Sequence, residues 1–183
     1  MLAVDLKNRI KRSGPLSFSD FVESCLYDLD DGFYSKRGSA GRRGDFLTSP
    51  EVGPFFGSLI ANWLDKTWLK LNKPENFQVV EVGAGRGTLA RAVIDAQPSC
   101  LENGTYTMVE RSQKLRGEQP VSEKLISAAD MPDAPLVGVV IANELLDNLP
   151  FDLLEGDGEC WKEVRIGLMN DQFVETLMGE SKE

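Results

Sequence analysis

The chain has 183 residues with 20 Lys/Arg, 29 Asp/Glu and no histidine, giving a net charge of −9. That length suits one well-cored fold, and the missing histidine removes His-based acid–base catalysis, Ser–His–Asp triads and most zinc sites, so no metal is expected. The charge is uneven, +1 over residues 1–45 and −10 over 46–183, with no basic stripe of the nucleic-acid-binding kind and no apolar run long enough to span a membrane.

From the N-terminus, Met1 to Arg12 mixes Asp5 with basic residues and has no apolar signal core, which argues against secretion. Cys25, Cys100 and Cys160 are odd in number and far apart, as expected of reduced thiols in a cytoplasmic setting. Ser17 opens the first clear helix, with Asp20 at capping-box distance and Phe18, Phe21, Val22, Cys25 and Leu26 on one face. Asp28 to Phe46 reads as a loop rich in Gly, Arg and Asp. Ser49-Pro50-Glu51 resembles a helix start, but Pro54 interrupts it, so the main helix begins near Phe55. Its apolar stripe runs Phe55, Phe56, Leu59, Ile60, Trp63, Leu64, Trp68 and Leu71, and is expected to pack in the core.

From Pro74 the pattern alternates. Strands are expected at 77–82, 106–109, 124–127 and 136–142, with a helix over 88–96. Strand–helix alternation implies a parallel, doubly wound sheet. Residues 161–168 and 173–178 flank Met169-Asn170-Asp171-Gln172 and read as a hairpin. The expected organisation is α/β: a helical extension over 1–73, then a Rossmann-like domain over 74–183 packed with it as one unit.

The segment Glu81-Val-Gly83-Ala84-Gly85-Arg-Gly87-Thr88 follows the first of these strands and opens the helix. Glycines there let backbone N–H groups approach a ligand, and the helix N-terminus adds unpaired donors. A dinucleotide fingerprint would want a small residue where Thr88 stands. Acidic-x-Gly-x-Gly-x-Gly instead suits S-adenosylmethionine (SAM), whose sulfonium and amino group favour a nearby carboxylate such as Glu81. A purely structural glycine turn is the alternative. Glu110 ends the next strand, 23 residues after Gly87, where an acidic residue can accept bonds from ribose hydroxyls. Asn143, Glu144 and Asp147 follow the last parallel strand, at the end where ligands of open α/β sheets bind. They could orient a cationic or N–H-bearing acceptor, or simply cap and charge a helix N-terminus.

The chain resembles the MidA-like family of class I SAM-dependent methyltransferases. The match runs in order over roughly residues 14 to 168: Gly14–Phe18, Cys25–Tyr27, Gly32–Tyr34, the specific block Gly41-Arg-Arg-Gly-Asp45-Phe-Leu-Thr48-Ser-Pro-Glu-Val52, Phe56-Gly57, Val80–Leu89, Val109-Glu110 and Ile141–Pro150. The resemblance implies methylation of a protein side chain, arginine in the mitochondrial member. It implies that Gly83, Gly85, Gly87 and Glu110 hold the cofactor, that Asn143 and Glu144 face the acceptor, and that Asp45 and Thr48 lie near the cleft. A carboxylate there would orient a guanidinium while its nitrogen attacks the methyl in line.

Members of that family are longer and carry a seven-stranded sheet, whereas four parallel strands and a hairpin are countable here. A non-catalytic relative acting through protein contacts is therefore the alternative reading. The last parallel strand would lie at an edge, which leaves room for a homodimer.

Overall fold

The computed structural model describes residues 1–36, 53–133 and 135–180. Contacts gather the chain into two units, Met1–Arg37 with Asn148–Glu183, and Gly38–Asp147. These boundaries differ from a division between residues 73 and 74. The helix over Pro54–Lys70 groups with the parallel sheet, and the C-terminal strands group with the N-terminal helices.

In the first unit, α1 (Leu2–Ser13) buries Leu6 and Ile10, and β1 (Leu16–Ser17) pairs antiparallel with β7 (Trp161–Met169). Helix α2 (Phe18–Tyr27) is capped as its sequence predicts, Ser17 Oγ accepting the Asp20 N–H at 3.0 Å. A short α3 (Phe33–Lys36) stands inside the stretch that reads as loop. Strands β6 (Leu153–Gly156), β7 and β8 (Gln172–Glu180) run antiparallel, so the expected hairpin is present with a further strand beside it. Asn170 and Asp171 turn it with φ of 51° and 61°, the left-handed pair that two-residue hairpins use.

The second unit is a four-stranded parallel sheet in the order β4–β3–β2–β5, formed by β2 (Gln78–Val82), β3 (Thr105–Val109), β4 (Leu125–Ala128) and β5 (Gly138–Ile141). Helices α4 (Pro54–Lys70) and α5 (Thr88–Asp95) pack together; a Cβ on Gly57 would lie 2.3 Å from Ala92 Cβ, so glycine permits their close crossing. A short α6 (Gln113–Arg116) follows β3. The core joins Leu64, Phe77, Val79, Leu89, Val93, Tyr106 and Met108, all buried. Fully burying each such side chain stabilises the fold by about 1.5–3 kcal/mol.

One expectation about α4 is corrected. Phe56, Ile60, Leu64 and Trp68 meet the core at four-residue spacing. Phe55, Leu59, Trp63 and Leu71 are exposed instead, by 74%, 51%, 49% and 46%. The eight-residue stripe is wider than the single face a helix can turn to a sheet.

The chain passes from β2 outward through β3 and β4, then returns to place β5 on the other side of β2. The order therefore reverses between β2 and β5. Crevices outside the carboxyl ends of strands at such a reversal are where open α/β sheets bind ligands.

Candidate functional site at the β2–β5 switch point

The glycine turn leaves the end of β2. Gly83, Gly85 and Gly87 all have positive φ, 74°, 54° and 75°, a region that L side chains rarely occupy. Gly83 and Ala84 both donate to the Val109 carbonyl, at 2.9 and 3.1 Å, which curls the turn over the end of β3. Gly87 is the N-cap of α5, and its carbonyl accepts the Arg91 N–H at 3.1 Å.

The three glycines do different work. A Cβ on Gly83 would come within 2.8 Å of Leu145 Cδ1, and one on Gly87 within 2.7 Å of Met108 Sδ and 2.9 Å of Pro120 Cδ. Those two are required by packing. A Cβ on Gly85 would meet nothing within 4 Å. Gly85 is thus the position at which the turn opens a cradle, and the room there suits a ligand lying against backbone.

Glu110 stands beside that cradle, only 8% exposed. Its Oε2 accepts the Gly85 N–H at 3.0 Å and its Oε1 accepts the Ser112 N–H at 2.8 Å. Arg116 Nη1 donates to the Glu110 and Arg111 carbonyls at 2.6 and 2.7 Å, fixing the chain where β3 ends. The structure thus joins Glu110 directly to the glycine turn, a link the 23-residue spacing only suggests.

Glu81 is placed differently from a charge facing a ligand. Its carboxyl is 5% exposed, lies below the turn, and accepts the Tyr106 hydroxyl at 2.8 Å on Oε2. Burial pushes its pKa up to about 7; the charge of Glu110 adds to the rise, and the Tyr106 hydrogen bond opposes it. The Tyr106 phenol is raised too, by burial first and then by Glu81.

From the end of β5 the chain reaches Asn143, half-buried, and Glu144, exposed with φ 51°. A left-handed glutamate costs conformational energy and is held here by its surroundings. Leu145 follows, and its Cδ1 occupies the space a Gly83 side chain would need. The acceptor candidates therefore adjoin the cofactor candidates across the switch point. Asp147 lies in a 3₁₀ turn, Leu146–Asn148, and no α-helix begins there, so a helix-capping role for Asn143 does not apply. Asp45, Thr48 and the helix start at Ser49-Pro50-Glu51 lie outside the described residues.

Gln119 escapes any reading of spacing. It is 8% exposed, donates from Nε2 to the Gly85 carbonyl at 2.8 Å, and accepts the Ser127 hydroxyl on Oε1. The segment around it also anchors on the turn and on the helix after it: Glu118 pairs with Arg86 Nε at 3.2 Å, and its carbonyl accepts Arg91 Nη2 at 2.7 Å. No groups of Cys, Asp and Glu suited to a metal occur among the described residues.

A parallel sheet with a glycine turn and a strand-end carboxylate on one side of its reversal, and an Asn-Glu loop on the other, has the build of a Rossmann-like nucleoside-cofactor domain. Residues 59–183 match the model of a family of S-adenosyl-L-methionine-dependent methyltransferases. The chain belongs to this MidA-like family of class I SAM-dependent methyltransferases. Among curated relatives, the Drosophila melanogaster protein arginine methyltransferase NDUFAF7 homolog, mitochondrial, is 32% identical over 90% of this chain and 44% of its own length. The Homo sapiens protein arginine methyltransferase NDUFAF7, mitochondrial, is 29% identical over 89% of this chain and 44% of its own. A COG1565 superfamily protein from Burkholderia thailandensis, solved with S-adenosyl-homocysteine, aligns with a TM-score of 0.85 at 26% identity, covering 100% of this chain and 50% of that one.

This chain thus spans about half the length of the relatives it matches. The cytoplasmic placement expected from the thiols is overturned, because these curated relatives are mitochondrial by name. Cysteines outside disulfides do not distinguish one reducing compartment from another. None of the three forms a disulfide in the structure.

Proposed function

We propose that this chain binds S-adenosyl-L-methionine at the glycine turn and serves methyl transfer to a protein side chain, arginine in particular. The observation that carries the reading is the cradle at Gly85, open on its Cβ side and flanked by the buried Glu110 carboxylate. The printed names of the relatives, with the S-adenosyl-homocysteine seen in the Burkholderia protein, support the cofactor and the acceptor class.

In this reading Gly83, Ala84, Gly85 and Gly87 provide the backbone surface, and Glu110 accepts the ribose hydroxyls on oxygens already oriented by Gly85 and Ser112. Glu81 supports the strand end from below and holds Tyr106, instead of meeting the ligand as a free carboxylate. SAM supplies an activated methyl group, so the protein need only position the acceptor and stabilise its charge. Asn143 and Glu144 do this, the amide as donor and acceptor and the carboxylate by charge-assisted bonds to a guanidinium. Asp147 is assigned to the same cleft by its place after β5, and Asp45 and Thr48 by family resemblance. The outer edge of β5, unpaired among the described residues, is where a second copy would add.

The test is transfer of radiolabelled methyl from SAM to arginine-containing protein in a cell extract, comparing wild type with Glu144→Ala. Labelled methylarginine with wild type and its loss with the variant is expected. Full transfer by a Glu144→Ala protein that binds SAM normally would remove Glu144 from the acceptor site.

A further inference from the structure

We infer that Gln119 is a positioning residue for the cofactor turn, acting through Gly85; the inference rests on the cofactor reading above. Gly85 is the one glycine of the turn that no neighbouring side chain blocks, so packing alone does not fix its conformation. Its two backbone polar atoms are nonetheless both held, and both by side chains from outside the motif. Glu110 Oε2 takes the N–H at 3.0 Å, and Gln119 Nε2 donates to the carbonyl at 2.8 Å. Because a peptide unit is planar, these two bonds fix the Ala84–Gly85 plane and the Gly85–Arg86 plane in turn.

The orientation of the Gln119 amide follows from its partners. The Gly85 carbonyl can only accept, so the NH2 must face it, and the side-chain oxygen then faces the Ser127 hydroxyl, which donates to it. Ser127, near the end of β4, thus sets Gln119, and Gln119 sets Gly85. Burial to 8% exposure keeps water from substituting for either bond. Gln119 Cγ and Pro120 Cδ also lie against Gly87, 3.7 and 2.9 Å from where its Cβ would be. Residues 119 and 120 therefore brace the turn at two glycines.

The consequence for binding is preorganisation. A glycine with free dihedrals pays the largest ordering cost of any residue when a ligand fixes it. With Gln119 and Glu110 in place that cost is met on folding, so it does not reduce affinity.

The test is calorimetric titration of the full chain with S-adenosyl-homocysteine, using wild type, Gln119→Met and Ser127→Ala. Gln119→Met keeps the side-chain length but removes both hydrogen bonds. It is expected to bind roughly tenfold or more weakly, about 1.4 kcal/mol or more, at full stoichiometry. Ser127→Ala should bind more weakly than wild type by a smaller factor, since the amide remains but loses its orienting donor. A merely structural role would lower the melting temperature or the fraction of competent protein and leave the dissociation constant unchanged. Wild-type affinity in Gln119→Met overturns the inference; if that variant does not fold, wild-type affinity in Ser127→Ala does so. Failure of the wild-type chain itself to bind overturns the cofactor reading, and the positioning role falls with it.

Discussion

At the end of β2 the backbone is held from several sides, whereas at the end of β5 the chain is open. Gly83 and Gly87 abut Leu145, Met108 and Pro120, and Gly85 is bonded through both its N–H and its carbonyl. Across the switch point Glu144 and Asp147 are exposed, and Val140 on the edge strand is 50% exposed. The difference fits the two tasks proposed above. A cofactor common to every turnover is best met by a preformed surface, while a protein acceptor brings its own surface to an open one.

The largest effect should come from disturbing the packed glycines. Gly87→Val adds a β-branched side chain at φ 75° against Met108 and Pro120. Left-handed strain and overpacking together should cost about 2–5 kcal/mol. A drop of roughly 5–20 °C in melting temperature is expected at about 2–4 °C per kcal/mol, read by calorimetry or circular dichroism. A Gly87→Val protein as stable as wild type would contradict the packing described for the turn.

Next comes Glu110→Ala, which strips the partner from the Gly85 and Ser112 N–H groups. Each buried donor left unpaired loosens the turn at a cost of about 1–3 kcal/mol, and the ribose hydroxyls lose their acceptor, so S-adenosyl-homocysteine binding should weaken by roughly tenfold or more. An unchanged dissociation constant would detach Glu110 from the cofactor.

On the open side the expected signature is reversed. Glu144→Gln removes charge without removing volume, and should slow transfer by roughly tenfold or more while leaving cofactor affinity within about twofold. Equal losses in both quantities would show that the two strand ends do not divide the work.

The last expected effect is a pH slope from the buried side, spread over several pH units. Glu81 rises from an ordinary value of 4.5 to about 7 on folding, chiefly through burial. Between those values the unfolded chain ionises while the folded one keeps its proton, so this group's contribution makes stability fall as pH rises from about 4.5 to about 7 and level off above. Glu81→Gln should flatten that segment of a denaturation-against-pH profile, and an unaltered slope would mean the carboxyl is not the source.

The parallel sheet was legible because each of its strands is a short apolar run followed by a turn or polar signal, and β2 leads into glycines that no helix or strand interior would tolerate. Helix α1 was not, because only Leu6 and Ile10 are buried among charged residues, too narrow a stripe for periodicity to reveal. The single exposed face of α4 was hidden for the opposite reason, since Phe55, Leu59 and Trp63 are as apolar as the buried Leu64. Strand β6 carries exposed Leu154 and Glu155 and has meaning only through its pairing with β7. In the site, Glu110 could be found from its distance to the glycines. Gln119 could not, because its partners Gly85 and Ser127 are brought to it by the parallel pairing of β2, β3 and β4.

The most direct measurement is a calorimetric titration of the purified chain with S-adenosyl-homocysteine, run alongside Gly85→Val. Nothing lies within 4 Å of the Gly85 Cβ direction, so this substitution fills the cradle with little disturbance of packing beyond the strain at φ 54°. One-to-one binding by wild type, lost in a Gly85→Val protein that remains folded, is the predicted result. Absence of binding to a folded, monodisperse wild-type chain, or equal binding by the variant, would contradict a cofactor site at this turn.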